Sequence, residues 1–400
     1  MKKLHLFPAI LLSAMVALSS CKKEDEEPEP TPTPTPAGTV LVTQNITTNT
    51  TWSTGSVYQL GGRITVTNGA TLTIQEGVIV KGEAGTGANA TALLIARGSK
   101  LNALGTADMP IIFTSVADEI TPAQVAAGNF ASPNLDPTVN GLWGGVLILG
   151  NAPISASNDV GDISEVQIEG IPTSDPNGLY GGNNPADNSG TIRYISIRHG
   201  GANIGSGNEI NGLTLGGVGS GTVVENVEVV SNQDDGIEFF GGTVSVSNAV
   251  VWNAGDDAID TDQSWSGTLD NFVVVGAGNH LFELDGPEGS MAAGHTIKNG
   301  SIVAAPDGVF GGDLINVDAN SIVNLENLYF RDIAADQWIN RVDAAGVTFT
   351  NIVLNVDAAD LPSHVNGAVP AGVVSGTTPQ ADISVLGWTW ASQAGGLSGL

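Results

Sequence analysis

The sequence predicts an all-β, single-domain right-handed parallel β-helix, a solenoid with coils of about 22–28 residues, and three observations carry that expectation. An asparagine recurs beside a short apolar run at Asn226, Asn248, Asn271, Asn299, Asn327 and Asn351, at intervals of 22, 23, 28, 28 and 24 residues. Glycine, at 53 of 400 residues, accompanies abundant Val, Ile, Thr and Asn, as many short strands joined by tight turns require. Almost no long stretch spaces its apolar residues as a helix does.

In chain order, Lys2 and Lys3 precede an apolar run from Leu6 to Leu18 that is short for a membrane span, so residues 1–20 are expected to be a signal peptide. The run ends in Leu18-Ser19-Ser20-Cys21, which resembles the lipobox of bacterial lipoproteins. That resemblance implies lipidation of Cys21, and with it a membrane as partner. Cys21 is the only cysteine, so no disulfide framework is available and the core must hold the fold. Residues 21–37 follow as an acidic cluster, Glu24 to Glu27, and a Pro-Thr alternation from Pro28 to Pro36. Such a segment buries no core and favours polyproline II, making an extended stalk. The cluster also resembles the acidic tag that directs some lipoproteins to the extracellular side of the outer membrane.

Residues 38–400 are expected to form the β-helix. Its first coils show in Thr67–Ile74 and Leu93–Leu101, where apolar and polar positions alternate between glycine turns, and in Pro110–Thr114. Stretches near 118–140 and 171–190, rich in Pro, Asn and Gly, are expected as loop insertions leaving the coils. The repeat follows. Asparagine tolerates left-handed backbone and bonds its equivalents above and below, so the six asparagines are expected to form a buried structural ladder. Leucine-rich repeats lack support because the leucine framework is missing, and propeller blades need about twice this period. The block from Asn68 to Ser115 and the later coils resemble β-helical surface lipoproteins of the pectin-lyase-like superfamily. This likeness is specific for fold and carries little about activity.

Aligning coils on the asparagines brings Asp234-Asp235-Gly236-Ile237-Glu238, Asp256-Asp257-Ala258-Ile259-Asp260 and Asn279-His280-Leu281-Phe282-Glu283 into register. With Ile237, Ile259 and Phe282 facing inward, strand alternation turns Glu238, Asp260 and Glu283 outward together, with Asp262 and Asp285 on the same face. Carboxylates about 5 Å apart repel unless protons or cations intervene. A hard cation taking six to eight oxygens fits them, so calcium is the expected cofactor and no organic one is expected. An ordinary solvated acidic edge is the alternative. Trp265, just beyond, is a candidate to stack on a sugar ring.

Gly255-Asp256-Asp257 also resembles the Gly-Asp-Asp motif of polygalacturonases, which would make Asp256 and Asp257, with Asp234 and Asp235 of the preceding coil, the catalytic acid and base. That family's Gly-His-Gly and Arg-x-Lys elements are absent; the nearest approaches are Ala293-Gly294-His295-Thr296 and Arg341-Val342-Asp343. A lyase needs a basic residue to abstract a proton, and none of Arg193, Arg198, Lys298, Arg331 or Arg341 falls in register with the acidic face. His199 and His280 are expected as polar turn residues.

The net charge of -28, from 41 Asp and Glu against 13 Lys and Arg, repels nucleic acid and anionic lipid. The functional expectation is a surface lipoprotein whose acidic face binds carbohydrate or another surface ligand. A polysaccharide hydrolase or lyase is the second reading, and an adhesin or spacer the third.

Overall fold

In a computed structural model the described residues are 38–87, 90–203, 210–309 and 311–400. The expectations for residues 1–20, Cys21 and the 21–37 stalk lie outside them. The described chain winds as a parallel β-helix built on a 15-stranded and an 8-stranded sheet in which every pairing is parallel.

One pair of coils explains the asparagine period. Lys100–Leu104 and Ile111–Ser115 are separate strands joined by a corner at 105–110. Both pair with the single strand Gly190–Arg198 of the next coil, the first with Gly190 to Arg193 and the second with Ile195 to Ile197. Between those registers stands Tyr194 at φ 50°, so one left-handed residue replaces the corner. In the following coils asparagine takes that place, at φ 56°, 57°, 55°, 58°, 53° and 54° for Asn226, Asn248, Asn271, Asn299, Asn327 and Asn351. A non-glycine residue pays least for this conformation when its side chain is short and polar.

The asparagines form a ladder only in part. Asn271 donates to Asn248 at 2.8 Å, Asn327 to Asn299 at 3.1 Å and Asn351 to Asn327 at 2.9 Å. Asn299 donates instead to Asp270 at 2.7 Å, and Asn271 accepts from the backbone N–H of Asp382 at 2.7 Å. The ladder runs along an outer corner rather than through the core: Asn226 is buried, but Asn351 is exposed.

Inside, apolar residues from all coils make one column, including the aromatic chain Phe272, Phe282 and Phe330 with centroids 5.8 and 6.0 Å apart. Gly300 stands in register with Phe272, and a Cβ there would meet the Phe272 ring at 2.3 Å, so the large residue is accommodated by the small one above it.

Three segments leave the coils. Residues 116–145 include the helix Pro122–Ala126, started by a capping box between Thr121 and Gln124. The second insertion begins earlier than the composition suggests, spanning 150–189 with two small hairpins, Ala156–Asn158 with Gly161–Ile163 and Val166–Gln167 with Leu179–Tyr180. Its Ile154, Ile168, Ile171 and Tyr180 pack on Leu147, Leu149 and Phe240 of the smaller sheet. The last coil strand is Val373–Ser375, so the β-helix stops short of residue 400. The remaining residues turn back along the outside of the larger sheet, where Gln380 meets Ser301, Asp382 meets Asn271 and Ala391 meets Glu228. Beneath this tail Arg198 and Glu228, both fully buried, face each other at 3.8 Å and share Ser196 as a hydrogen-bonding partner.

Replacing Asn327 by valine is expected to destabilise the fold by about 1–2 kcal/mol more than replacing it by glycine, since only glycine keeps the left-handed corner unstrained. Urea unfolding of the two variants measures this; equal losses would mean that the corner conformation is not what asparagine supplies.

Candidate metal and functional site

The smaller sheet carries the acidic cluster because its strands alternate. In Ile237–Phe240, Ile259–Asp262 and Phe282–Leu284 the residues Ile237, Phe239, Ile259, Phe282 and Leu284 enter the core, leaving the residues between them outside. Registers pair Glu238 with Asp260 and Asp260 with Glu283, in a row whose polar part runs from Thr214 to Asn316. Asp262 pairs with Phe240, and Asp285, one residue past its strand, donates its N–H to Thr261 at 2.8 Å, extending the same register.

A second row lies in the preceding turn, formed by Asn211, Asp235, Asp257, His280 and Asp313. Here the first three side chains answer the next coil's backbone: Asn211 accepts from the Asp235 N–H at 3.3 Å, Asp235 from the Asp257 N–H at 2.9 Å, and Asp257 from the His280 N–H. Asp235 and Asp257 therefore cap the coil-to-coil ladder. Asp234 and Asp256, half-buried, sit beside them. Asn211 went unassigned in the sequence although Asn211-Gly212-Leu213-Thr214 repeats the pattern of Asp235-Gly236-Ile237-Glu238; its amide donates to the Glu238 carboxylate.

The row is not the open face expected of it. Glu238 is 5% and Asp260 8% exposed, and Asp235 is as deeply buried. The 150–189 insertion reaches this region: Glu169 lies within hydrogen-bonding distance of Asn211 at 3.4 Å, and Tyr180 donates to Gln263 at 2.9 Å. Asp262, Glu283 and Asp285 remain half-buried at the edge. Trp265 is not available to a sugar. It is 1% exposed, stacks on Phe239 with centroids 3.9 Å apart and donates its indole N–H to the Val244 carbonyl at 2.8 Å. The two residues before it, Gln263 and Ser264, place it inward, because both adopt positive φ and break the strand alternation.

Ligand atoms fall into three groups within 4.8 Å of one another: Asp235 with Glu238 and Asp260, Asp234 with Asp235 and Asp256, and Asp257 with His280 and Glu283. In the first group Asp260 Oδ1 is buried without a hydrogen-bond partner. Burial, and then the neighbouring negative charges, push the Asp235, Glu238 and Asp260 carboxyls well above the usual carboxylate range. The same causes bring Asp262 up to about 7 and Asp285 up to about 6. Burial and a hydrogen bond with Asp257 bring Glu283 up to about 9. For His280 burial acts downward, but the adjacent Asp257 carboxylate outweighs it and raises the imidazole.

A family model described as a pectate-lyase-like β-helix domain matches residues 44–367, which is most of the chain. Neither comparison with curated proteins nor comparison with solved structures finds a match.

Metal-free protein is expected to lose stability as the pH rises from 5 to 9. The clustered carboxyls keep their protons in the fold where an unfolded chain, with values near 4, has lost them. The stabilisation that protonation provides is complete below about pH 4 and disappears as the pH passes the folded values of about 6, 7 and 9 for Asp285, Asp262 and Glu283. Melting curves in a chelator across that range test it, and a flat or rising Tm would contradict the electrostatics.

Proposed function

Because the chain belongs to the pectate-lyase-like β-helix family, we propose that it is a lipid-anchored, surface-exposed polysaccharide-binding protein whose Asp235, Glu238 and Asp260 hold a calcium ion. The observation that carries the cation is the orphaned Asp260 Oδ1 amid two further buried carboxylates. A buried carboxylate oxygen without a donor is several kcal/mol out of balance, and protons or a cation must answer it. The donors are all hard oxygens, with the Asp262 carboxylate adjacent, and that chemistry suits calcium. The ion would tie neighbouring coils together beneath the insertion. It would also offset charge that repels acidic polysaccharides.

Burial speaks against catalysis at this triad and makes its ion structural, so that polysaccharide would be bound elsewhere on the coils. A substrate does not reach Asp235 or Glu238 while the insertion lies over them, and Asp235 and Asp257 are occupied in capping backbone N–H groups. The anchor is proposed on the position of Cys21, and an outer-membrane, extracellular location on the acidic stalk after it.

The test uses chain lacking the signal, with and without calcium, against a polysaccharide panel, alongside the Asp260→Asn variant. Calcium is expected to raise Tm, more at pH 8 than at pH 5.5 because the ligands must shed protons. Asp260→Asn should remove most of that rise, and polysaccharide should be retained without product. A calcium shift undiminished in Asp260→Asn would remove the cation from this triad. Released unsaturated or reducing sugar would establish the lyase or hydrolase instead, and absence of any retention would favour the spacer.

A further inference from the structure

We propose that Asp257, His280 and Glu283 form a second metal site, for a borderline cation of the zinc class, separate from the calcium triad. His280 Nδ1 lies 3.2 Å from Asp257 Oδ1 and 3.8 Å from Glu283 Oε1. Ligand atoms held about 2.0–2.1 Å from a tetrahedral zinc stand about 3.4 Å from one another, so these separations already match a zinc shell. An ion of calcium's size demands more oxygens than the group offers, whereas an imidazole nitrogen with two carboxylates is a set that zinc and its neighbours accept.

A second observation points the same way. His280 Nδ1 is fully buried and faces both carboxylates, yet its 3.2 Å contact with Asp257 falls outside good hydrogen-bond geometry. Its other ring nitrogen, Nε2, is 3.1 Å from the Asn316 side-chain amide. The amide nitrogen faces Nε2 as placed; exchanging the amide's nitrogen and oxygen, which are interchangeable in shape, lets Nε2–H donate to Asn316 and leaves Nδ1 with its lone pair toward Asp257 and Glu283. An outer partner that fixes the imidazole tautomer in this way is the usual support for a ligating histidine. Among the described residues no other histidine is paired with a carboxylate: the His199 and His364 Nδ1 atoms meet the backbone carbonyls of Val139 and Gln337, and His295 lies inside the coil against Trp265. The Glu283 side chain is 33% exposed, so a further ligand position opens toward solvent, unlike the closed triad.

The two sites share no residue, and so their failures are distinguishable. The experiment titrates Zn²⁺ into the signal-free chain in excess calcium by calorimetry, with X-ray absorption at the zinc edge on the loaded wild type. One equivalent of zinc is expected to bind through one imidazole nitrogen and oxygen ligands. His280→Gln should abolish this binding while the calcium-induced Tm rise persists, and Asn316→Leu should weaken it about 10–100-fold by freeing the ring. Zinc that fails to bind in excess calcium, or that binds His280→Gln as well as wild type, would overturn the proposal. If His280→Gln does not fold, the wild-type absorption spectrum decides: a shell of oxygens alone overturns it.

Discussion

Everything in this molecule depends on coils stacking in parallel register, backbone hydrogen-bonded to backbone along the whole helix axis. Once that register is set, residues two dozen positions apart become nearest neighbours, and any chemistry repeated in the sequence becomes a column in space. The Asn248–Asn271 contact, the Phe272–Gly300 accommodation and the Glu238–Asp260–Glu283 row all follow from the same constraint. The left-handed residue at the corner lets one continuous strand serve two directions of the coil, which is why that position selects asparagine repeatedly.

The register also wins over electrostatics. Two charged carboxylates about 5 Å apart repel by about 3 kcal/mol at an effective dielectric near 20. Each fully buried Ile or Phe contributes about 1.5–3 kcal/mol, and the coils that carry the acidic row bury Ile237, Phe239, Ile259, Phe282 and Leu284 together. Sliding a strand by one residue would relieve the acids and turn this apolar set outward. The fold keeps the apolar set and leaves the buried acids to be neutralised by protons, which their raised titration range allows.

Two outward faces of the solenoid are sealed by segments that belong to no coil. The 150–189 insertion covers part of the smaller sheet and makes the acidic row an interior feature there. The C-terminal tail covers the larger sheet and encloses Arg198 and Glu228, which would otherwise face water. Trp390 lies against the Arg198 guanidinium at 4.9 Å, and the Ala391 N–H donates to Glu228 at 2.8 Å. Burying such a pair gains little unless its remaining donors and acceptors are satisfied; here Ser196, Phe130 and Ala391 provide partners, while Arg198 Nη2 has only the Glu228 charge at 3.8 Å.

The sequence by itself determined the β-helix, its period and the alignment of Glu238, Asp260 and Glu283, because repeat spacing and strand alternation are local properties that stacking converts directly into neighbours. Asn211 was legible by the same rule, its Asn-Gly-Leu-Thr being one more copy of the turn pattern. Only the tertiary structure decided which of those neighbours see water. The burial of Asp260, the inward turn of Trp265 and the return of the C-terminal tail over Glu228 depend on non-repeating segments and on local breaks such as Gln263 and Ser264. Contacts of that kind join residues as distant as Glu228 and Ala391, and no periodicity encodes them. The pairing of His280 with Asp257 and Glu283 was hidden for a related reason: two of its members sit in the turn row and one in the strand row, and only the folded corner between turn and strand brings the rows together.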